Sequence, residues 1–377
     1  MKNVINLFNE KRNFRCFAKT PEERVEAFIS HWYQQWNSAK KKMGGDLEFE
    51  FWEYDNIDFH LWGNLISEVD KAHFVEGKDS GSKSSFGSPA SYNPTVEKIT
   101  ECDIHGNSAD VYSEIYDKTH KSSHYHVYEL KRNTAGDWLI YGIYFLVHPP
   151  KGLVIDPSKQ AEILKMSDPN SNFIRGEDTD NLNENTLFQN DRTLILPHLF
   201  LKKGCTKLST IGKLKVRSGV LGIVDFGSLI YDFEPLHRKV PPGEYSVETV
   251  TINDRVAGIR VRFSDHERPI KWYAANTPSG DWIYGVDYAN LAIFDVENLF
   301  GLSRIEKERL FSEWTLSFQP QLLSMTDQND CVITSSGFGD GAYPAFWGVN
   351  EKEKIVSLYI DFMILVHETE AGGYVSV

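Results

Sequence analysis

Ser335–Gly348 crowds four glycines, four aromatics, a proline and an aspartate into fourteen positions, the most biased stretch of the 377-residue chain. Glycine at such density means a backbone that takes positive φ or passes close to something else. The stretch lacks the Gly-Lys-Ser/Thr ending of a phosphate-binding loop, so no lysine is placed to reach a β- or γ-phosphate. A dinucleotide site needs a helix opening directly after the glycines. Pro344 and the β-favouring Tyr343, Phe346 and Trp347 argue for strand or turn instead. The plain expectation is a turn joining Cys331–Thr334 to a following strand, with the apolar strand Ile355–Val366 next. Asp340, between two glycines, can present a carboxylate to a ligand.

Upstream, the pattern is helices first and strands after. Thr20-Pro21-Glu22-Glu23 carries a capping box with proline at the first helical position. Val25, Phe28, Ile29, Trp32 and Trp36 follow at helical spacing, and Gly44-Gly45 ends the element. Phe49–His73, dense in aromatics and acids, predicts short helices, and Gly77–Ser91 a polar loop. Four stretches then have strand character: Glu97–Ile104, Ser108–Lys118, Ser123–Lys131 and Asp137–Val147. Helices followed by an antiparallel meander make an α+β domain over residues 1–150.

Pro149-Pro150 and Asp156-Pro157 break regular structure, Ser158–Met166 has room for one short helix, and Asp168–Asn190 is rich in Asn, Asp and Ser. Residues 151–190 therefore read as a linker, open to protease after Asp168. From about Asp191 the chain is mostly β: Lys213–Arg217, Val220–Asp225, Tyr245–Ile252, Val256–Phe263, Trp282–Tyr288 and Ala292–Val296. Asn253-Asp254 signals a tight hairpin. Ser303 and Glu306 form a second capping box ahead of Leu310 and Phe311. Gly136-Asp137-Trp138 and Gly280-Asp281-Trp282 share only the grammar of a turn feeding a strand, since nothing flanking them aligns.

The first 150 residues resemble bacterial immunity proteins of nuclear-transport-factor-two-like fold, through the paired tryptophans, the Pro-x-x-Tyr-x-Pro-x-x-Glu-x-Ile run from Pro89 to Ile99, and Trp138. The resemblance implies a strongly curved antiparallel sheet wrapped around helices as a cone, and a protein that binds and neutralises a cognate toxin. The second half is similar to a bacterial domain family of unknown function. That likeness runs through Gly222–Asp225, Val240–Val247, Arg255–Arg262, Gly285-Val286-Asp287, Ser336–Gly348 and Ile360-Asp361-Phe362. It implies a fold unit and no activity.

Several residues invite chemistry. His124 and His126 share one strand face, and a zinc or iron site there would need a third ligand such as His120 or Glu114. Asp110, Glu114, His124 and Glu129 are the acid–base groups available to a cone pocket. Asp225, Asp287, Asp295, Asp340 and Asp361 each end or punctuate a β segment, where an aspartate is ordinarily a turn former, and three converging carboxylates would make a hard-cation site. Ser335 and Ser336 lack the Gly-x-Ser-x-Gly elbow of a serine hydrolase.

The formal net charge of −13 disfavours nucleic acid and anionic membranes and suits a basic protein partner. Cys16, Cys102, Cys205 and Cys331 lie far apart without a CxxC pair, as in reduced cytosolic proteins. Met1–Arg15 is interrupted by charges and no later run reaches the roughly eighteen apolar residues of a membrane span, so a cytoplasmic protein is expected. These readings converge on an immunity protein that blocks a basic toxin by contact, with no catalytic residue, cofactor or metal. Trp52, Trp62, Tyr92, Asp340, Tyr343 and Trp347 are its candidate partner-binding residues, since Trp and Tyr dominate interface energies. The competing expectation is a hydrolase or isomerase with an acidic site in the cone pocket or at the Gly-Asp-Gly loop.

Overall fold

The structure, a computed structural model of the chain, describes residues 14, 16–43, 57–87, 89–176, 179, 181–196, 202–228, 230, 233–325, 330–368 and 374–376. The chain divides into two compact units, Met1–Pro150 and Lys151–Val377. The fold class is α+β, with antiparallel sheets throughout and a mostly β second unit. No helix among the described residues is long and apolar enough to cross a membrane.

The first unit opens with α1 (Pro21–Lys42), whose capping box closes as its residues dictate. Thr20 accepts from the Glu23 amide, and the Glu23 carboxylate accepts from the Thr20 amide in return. Helix α2 is continuous over Phe59–His73, and Gly44-Gly45 and the stretch 49–56 of the expected helical region lie outside the described residues. Four strands follow as a meander: β1 (Glu97–His105), β2 (Ser108–Asp117), β3 (Ser122–Arg132) and β4 (Trp138–Leu146). Bulges at Ile99/Glu101 and Glu129/Leu130 interrupt the ladders and add local twist. Alternation places Ala109, Val111, Tyr128, Leu130 and Ile140 on one face, where they meet Phe28 and Trp32 of α1 and Trp62 and Ile66 of α2.

A buried polar network ties α1, α2 and the β3–β4 turn. The Arg24 guanidinium, without solvent exposure, donates to Trp138 O (2.6 Å), Cys16 O (2.7 Å) and Asp137 Oδ1 (2.7 Å). It also faces His73 Nδ1 at 3.1 Å. Because Arg24 can only donate, His73 Nδ1 accepts, its proton sits on Nε2, and Nε2 donates to His31 Nδ1 at 2.8 Å. Burial, with the Arg24 charge beside it, drops the His73 pKa to about 3.

The second unit begins with α3 (Pro157–Lys165) and the short α4 (Glu184–Leu187). Strands β5 (Thr193–Leu196) and β6 (Lys202–Cys205) form a separate hairpin ladder. Next come β7 (Lys207–Val216), β8 (Leu221–Val224), β9 (Gly243–Ile252), β10 (Arg255–Arg262), β11 (Lys271–Ala274), β12 (Ile283–Val286) and β13 (Asn290–Asp295). Helix α5 (Arg304–Thr315) carries the second capping box. The chain closes with β14 (Gln321–Leu323), β15 (Cys331–Ser335), β16 (Gly341–Val349), β17 (Ile355–Asp361), β18 (Val366–Glu368) and β19 (Tyr374–Ser376). The large sheet runs β11-β16-β17-β10-β9-β7, with β12 also on β16, and a smaller sheet runs β14-β15-β13-β8. Asn253 and Asp254, both at positive φ, make the tight β9–β10 turn.

The segment read from composition as a linker is packed into this unit instead. Val154, Ile155 and Ile163 join one core with Leu299 and Trp314, while Leu182, Leu187 and Phe188 join another with Tyr359. The Glu184 carboxylate is buried and accepts from Ser357 Oγ, Arg260 Nη1 (3.2 Å) and Trp272 Nε1 (3.3 Å). A few apolar side chains in a polar stretch are enough to dock it, and composition averages them away. The strand expected over Ile355–Val366 ends at Asp361, because Met363 turns to positive φ.

Candidate functional site

The glycine-rich stretch joins β15, in the smaller sheet, to β16, in the large one, so it is a crossing between sheets and not a hairpin. Pro344 lies within β16 opposite Ile283 of β12, where that ladder ends and pairing with β11 and β17 takes over. A proline without an N–H fits where the ladder changes partner. The turn itself, Ser336–Asp340, is braced from within. The Gly339 amide donates to Ser336 O (2.8 Å), Ser336 Oγ donates to Gly339 O (2.8 Å), and the Tyr343 hydroxyl reaches both carbonyls. Gly337 takes φ +54° with its α-carbon against Phe362, where a side chain would collide with Phe362 Cβ and O.

A second loop lies alongside. Asp225, at the end of β8, uses Oδ2 to accept the amides of Asp287 and Tyr288, each at 2.7 Å. Its Oδ1 accepts from the Gly227 amide (3.0 Å) and Asn290 Nδ2 (2.7 Å). The Ser336 amide donates to Ala289 O (3.1 Å), stapling the two loops together. Val286 pairs with Gly341, so one step further along the same ladder Asp287 follows on one strand and Asp340 precedes on the other. Both are exposed. Tyr288 is 54% exposed, with its ring edge-on to Phe311, and Phe338 is 47% exposed beneath the Arg255 guanidinium, which lies 5.0 Å from the ring centre. Arg255 Nη1 also donates to Gly337 O (3.0 Å). Two exposed rings and two exposed carboxylates thus sit on backbone fixed by buried and partly buried hydrogen bonds.

Three of the strand-end aspartates, Asp225, Asp295 and Asp361, serve the backbone. Asp295 accepts from the amides of Arg217, Ser218 and Glu297 and from Ser218 Oγ. Asp361 accepts from the Met363 amide (2.8 Å) and is fully buried, its Oδ2 having no hydrogen-bond partner among the described residues. Burial raises its pKa to about 7. Among the described residues no group of three or more His, Cys, Asp or Glu is placed to hold a metal ion.

In the first unit the inner face carries a different cluster. Glu97 Oε1 accepts from Tyr128 OH (2.6 Å) and Ser113 Oγ (2.7 Å) and lies 2.9 Å from His126 Nδ1. Burial, reinforced by the Glu97 charge, pushes the Tyr128 hydroxyl well above its ordinary pKa, so it stays a donor. Tyr92 covers His126 with ring centres 5.0 Å apart. All five side chains are buried, and Oε1 is taken up by protein groups. His124 shares the inner face nearer the edge, stacked on the exposed Phe145, whereas Asp110, Glu114 and Glu129 alternate to the opposite face. The acids expected in a cone pocket therefore do not meet the histidines.

Of the five described residues among the six expected to bind a partner, Asp340 alone is exposed. Trp62 is fully buried and its indole N–H donates to Ser82 O (2.7 Å) and Ser85 O (2.9 Å). Tyr92 is packed between Phe28 and Trp32, Trp347 lies in the core of the second unit, and Tyr343 is the internal brace of the turn. Trp52 lies outside the described residues. The burial of the four rings has one physical reason: large rings fill cores before they decorate surfaces, and their identity does not say which. The exposure of Tyr288 leaves no local signal in the sequence, whereas Phe338 flanked by glycines on a turn is a readable sign of an exposed ring. Glu97, Ser113 and Tyr128 left no local signal, since only the β1–β2–β3 register brings them together.

Residues 214–360 match a family model described as "Protein of unknown function (DUF4241)". No curated protein and no solved structure matches the chain. The matched span holds both stapled loops and ends one residue before Asp361.

Proposed function

We propose that this chain is a recognition protein of the immunity type, which binds a basic protein toxin and neutralises it by contact, without chemistry of its own. The observation that supports recognition is the braced loop pair presenting Tyr288 and Phe338 beside Asp287 and Asp340. Exposed rings on fixed backbone lose little entropy on binding and act as anchors. Neighbouring carboxylates and a net charge of −13 favour a basic surface and speed its approach. The toxin as partner is carried by the resemblance of the first unit to immunity proteins. The test is growth rescue: cells expressing the proposed basic toxin should survive when this chain is co-expressed. Survival lost with Tyr288→Ala/Phe338→Ala, at unchanged protein level, supports the reading. Absence of rescue by the native chain overturns it.

A further inference from the structure

The first unit of this acidic chain gathers two ammonium groups over one tyrosine ring. Lys131 Nζ lies 3.3 Å from the centre of the Tyr141 ring, and Lys78 Nζ lies 4.5 Å from the same centre. Among the described residues neither ammonium has a carboxylate partner, and the Tyr141 hydroxyl has no hydrogen-bond partner. Two other lysines of the same region are paired, Lys71 with Glu68 at 2.9 Å and Lys83 with Asp79 at 2.7 Å. Glu129, two positions before Lys131, takes the Tyr144 hydroxyl instead (3.3 Å). All three groups are accessible: Lys131 is exposed, and Lys78 and Tyr141 are half-buried.

The backbone brings them together in three ways. Glu129 faces Gly142 and Leu130 faces Ile140, so Tyr141 is the extra, bulged residue of β4. A bulge re-aims the side chain it inserts. At this edge of the sheet the Val75 amide donates to Ile140 O (2.9 Å), pinning the chain that leaves α2 against β4. The Lys78 amide then donates back to Val75 O (3.0 Å), with Gly77 at φ +80°, and that turn carries Lys78 to the ring. Lys131 comes from β3, opposite Leu139 and two positions from Tyr141 in the register.

The ring face attracts each cation, while the two ammoniums repel one another and no carboxylate among the described residues offsets them. Two cations and an unpartnered O–H around one point are donors that suit an oxyanion carrying two charges. We propose that Lys78, Lys131 and Tyr141 form a binding site for a phosphate group, either the free ion or a small monoester. Each ammonium would donate to a different phosphate oxygen and the phenol to a third. A carboxylate, with a single charge, would leave one ammonium uncompensated. The net charge of −13 disfavours a nucleic-acid backbone as the source of the phosphate.

The experiment titrates the full-length protein at about pH 7.5, where a phosphate monoester carries close to two charges. Inorganic phosphate, phenyl phosphate and acetate are added at matched ionic strength, and backbone amide NMR signals are followed. Saturable shifts at Lys78, Lys131 and Tyr141 with either phosphate, and none with acetate, support the site. Tighter binding of inorganic phosphate identifies the free ion as the ligand, and tighter binding of phenyl phosphate identifies an ester. Lys78→Met and Lys131→Met should each weaken binding about tenfold, and Tyr141→Phe, which keeps the ring but removes the O–H, by a smaller factor. These accessible positions should leave the melting temperature nearly unchanged. No saturable shift in the native protein, equal shifts with acetate, or native-like binding by the folded Lys78→Met/Lys131→Met double variant overturns the proposal.

Discussion

Asp361→Asn should change the pH dependence of stability in a calculable way. The carboxyl lies wholly buried at the end of β17 with one hydrogen bond, and its pKa rises from 3.8 to about 7 because burial penalises the charge. Between those values the native state holds a proton that the unfolded chain has released. Stability contributed by this group is therefore greatest below about pH 4, falls by about 1.4 kcal/mol per pH unit as pH rises, and levels off above about pH 7. A shift of roughly three units corresponds to a total of about 4 kcal/mol. Asparagine abolishes the titration but leaves a buried amide hydrogen without an acceptor, a constant cost of about 1–3 kcal/mol. The variant should be the weaker protein near pH 4 and should equal or exceed the native protein near pH 8. Denaturant unfolding of both proteins at half-unit pH steps, followed by tryptophan fluorescence, measures the difference. Two parallel curves would refute the reasoning, showing that the native fold stabilises the ionised carboxylate as well as water does.

Three further outcomes are expected. His73 resists protonation in the fold, so the first unit should lose stability as pH falls below about 6.5 and toward about 3, and His73→Gln should flatten that part of a melting-temperature profile. Glu184→Ala leaves the Ser357 hydroxyl and the Trp272 N–H without their acceptor and should destabilise the second unit by about 1–3 kcal/mol, with protease cleavage near residues 181–190 appearing by mass spectrometry. Tyr343→Phe removes the hydroxyl from Ser336 O and Gly339 O, and should cost about 0.5–1.5 kcal/mol in denaturant unfolding and speed amide exchange at Gly339.

Local signals carried the local structure well. Both capping boxes, the Val25–Trp36 apolar stripe, the four-strand meander and the Asn253-Asp254 turn were readable because each depends on neighbours within a few positions. What needed the third dimension was hidden. The docking of Leu182, Glu184 and Leu187 depends on strands more than seventy residues away, such as Arg260 in β10 and Ser357 in β17. The Glu97 cluster depends on register, and the burial of Trp62, Tyr92 and Trp347 on which face each element turns inward. In the candidate site the glycines and Asp340 announced a special loop, but its stapling to the neighbouring turn through the Ser336 amide on Ala289 O, and the bracing of that turn by Asp225, are contacts that no spacing reveals.

The most direct test of recognition by the braced loops is the affinity of the purified chain for the basic protein toxin proposed as its partner, measured by calorimetry for the native protein, Tyr288→Ala and Phe338→Ala. Both side chains are exposed, so neither change should move the melting temperature appreciably. Each should weaken binding by about 1–3 kcal/mol, roughly ten- to a hundredfold. Unchanged affinity in both variants, with native melting, would contradict the assignment of the interface to these loops.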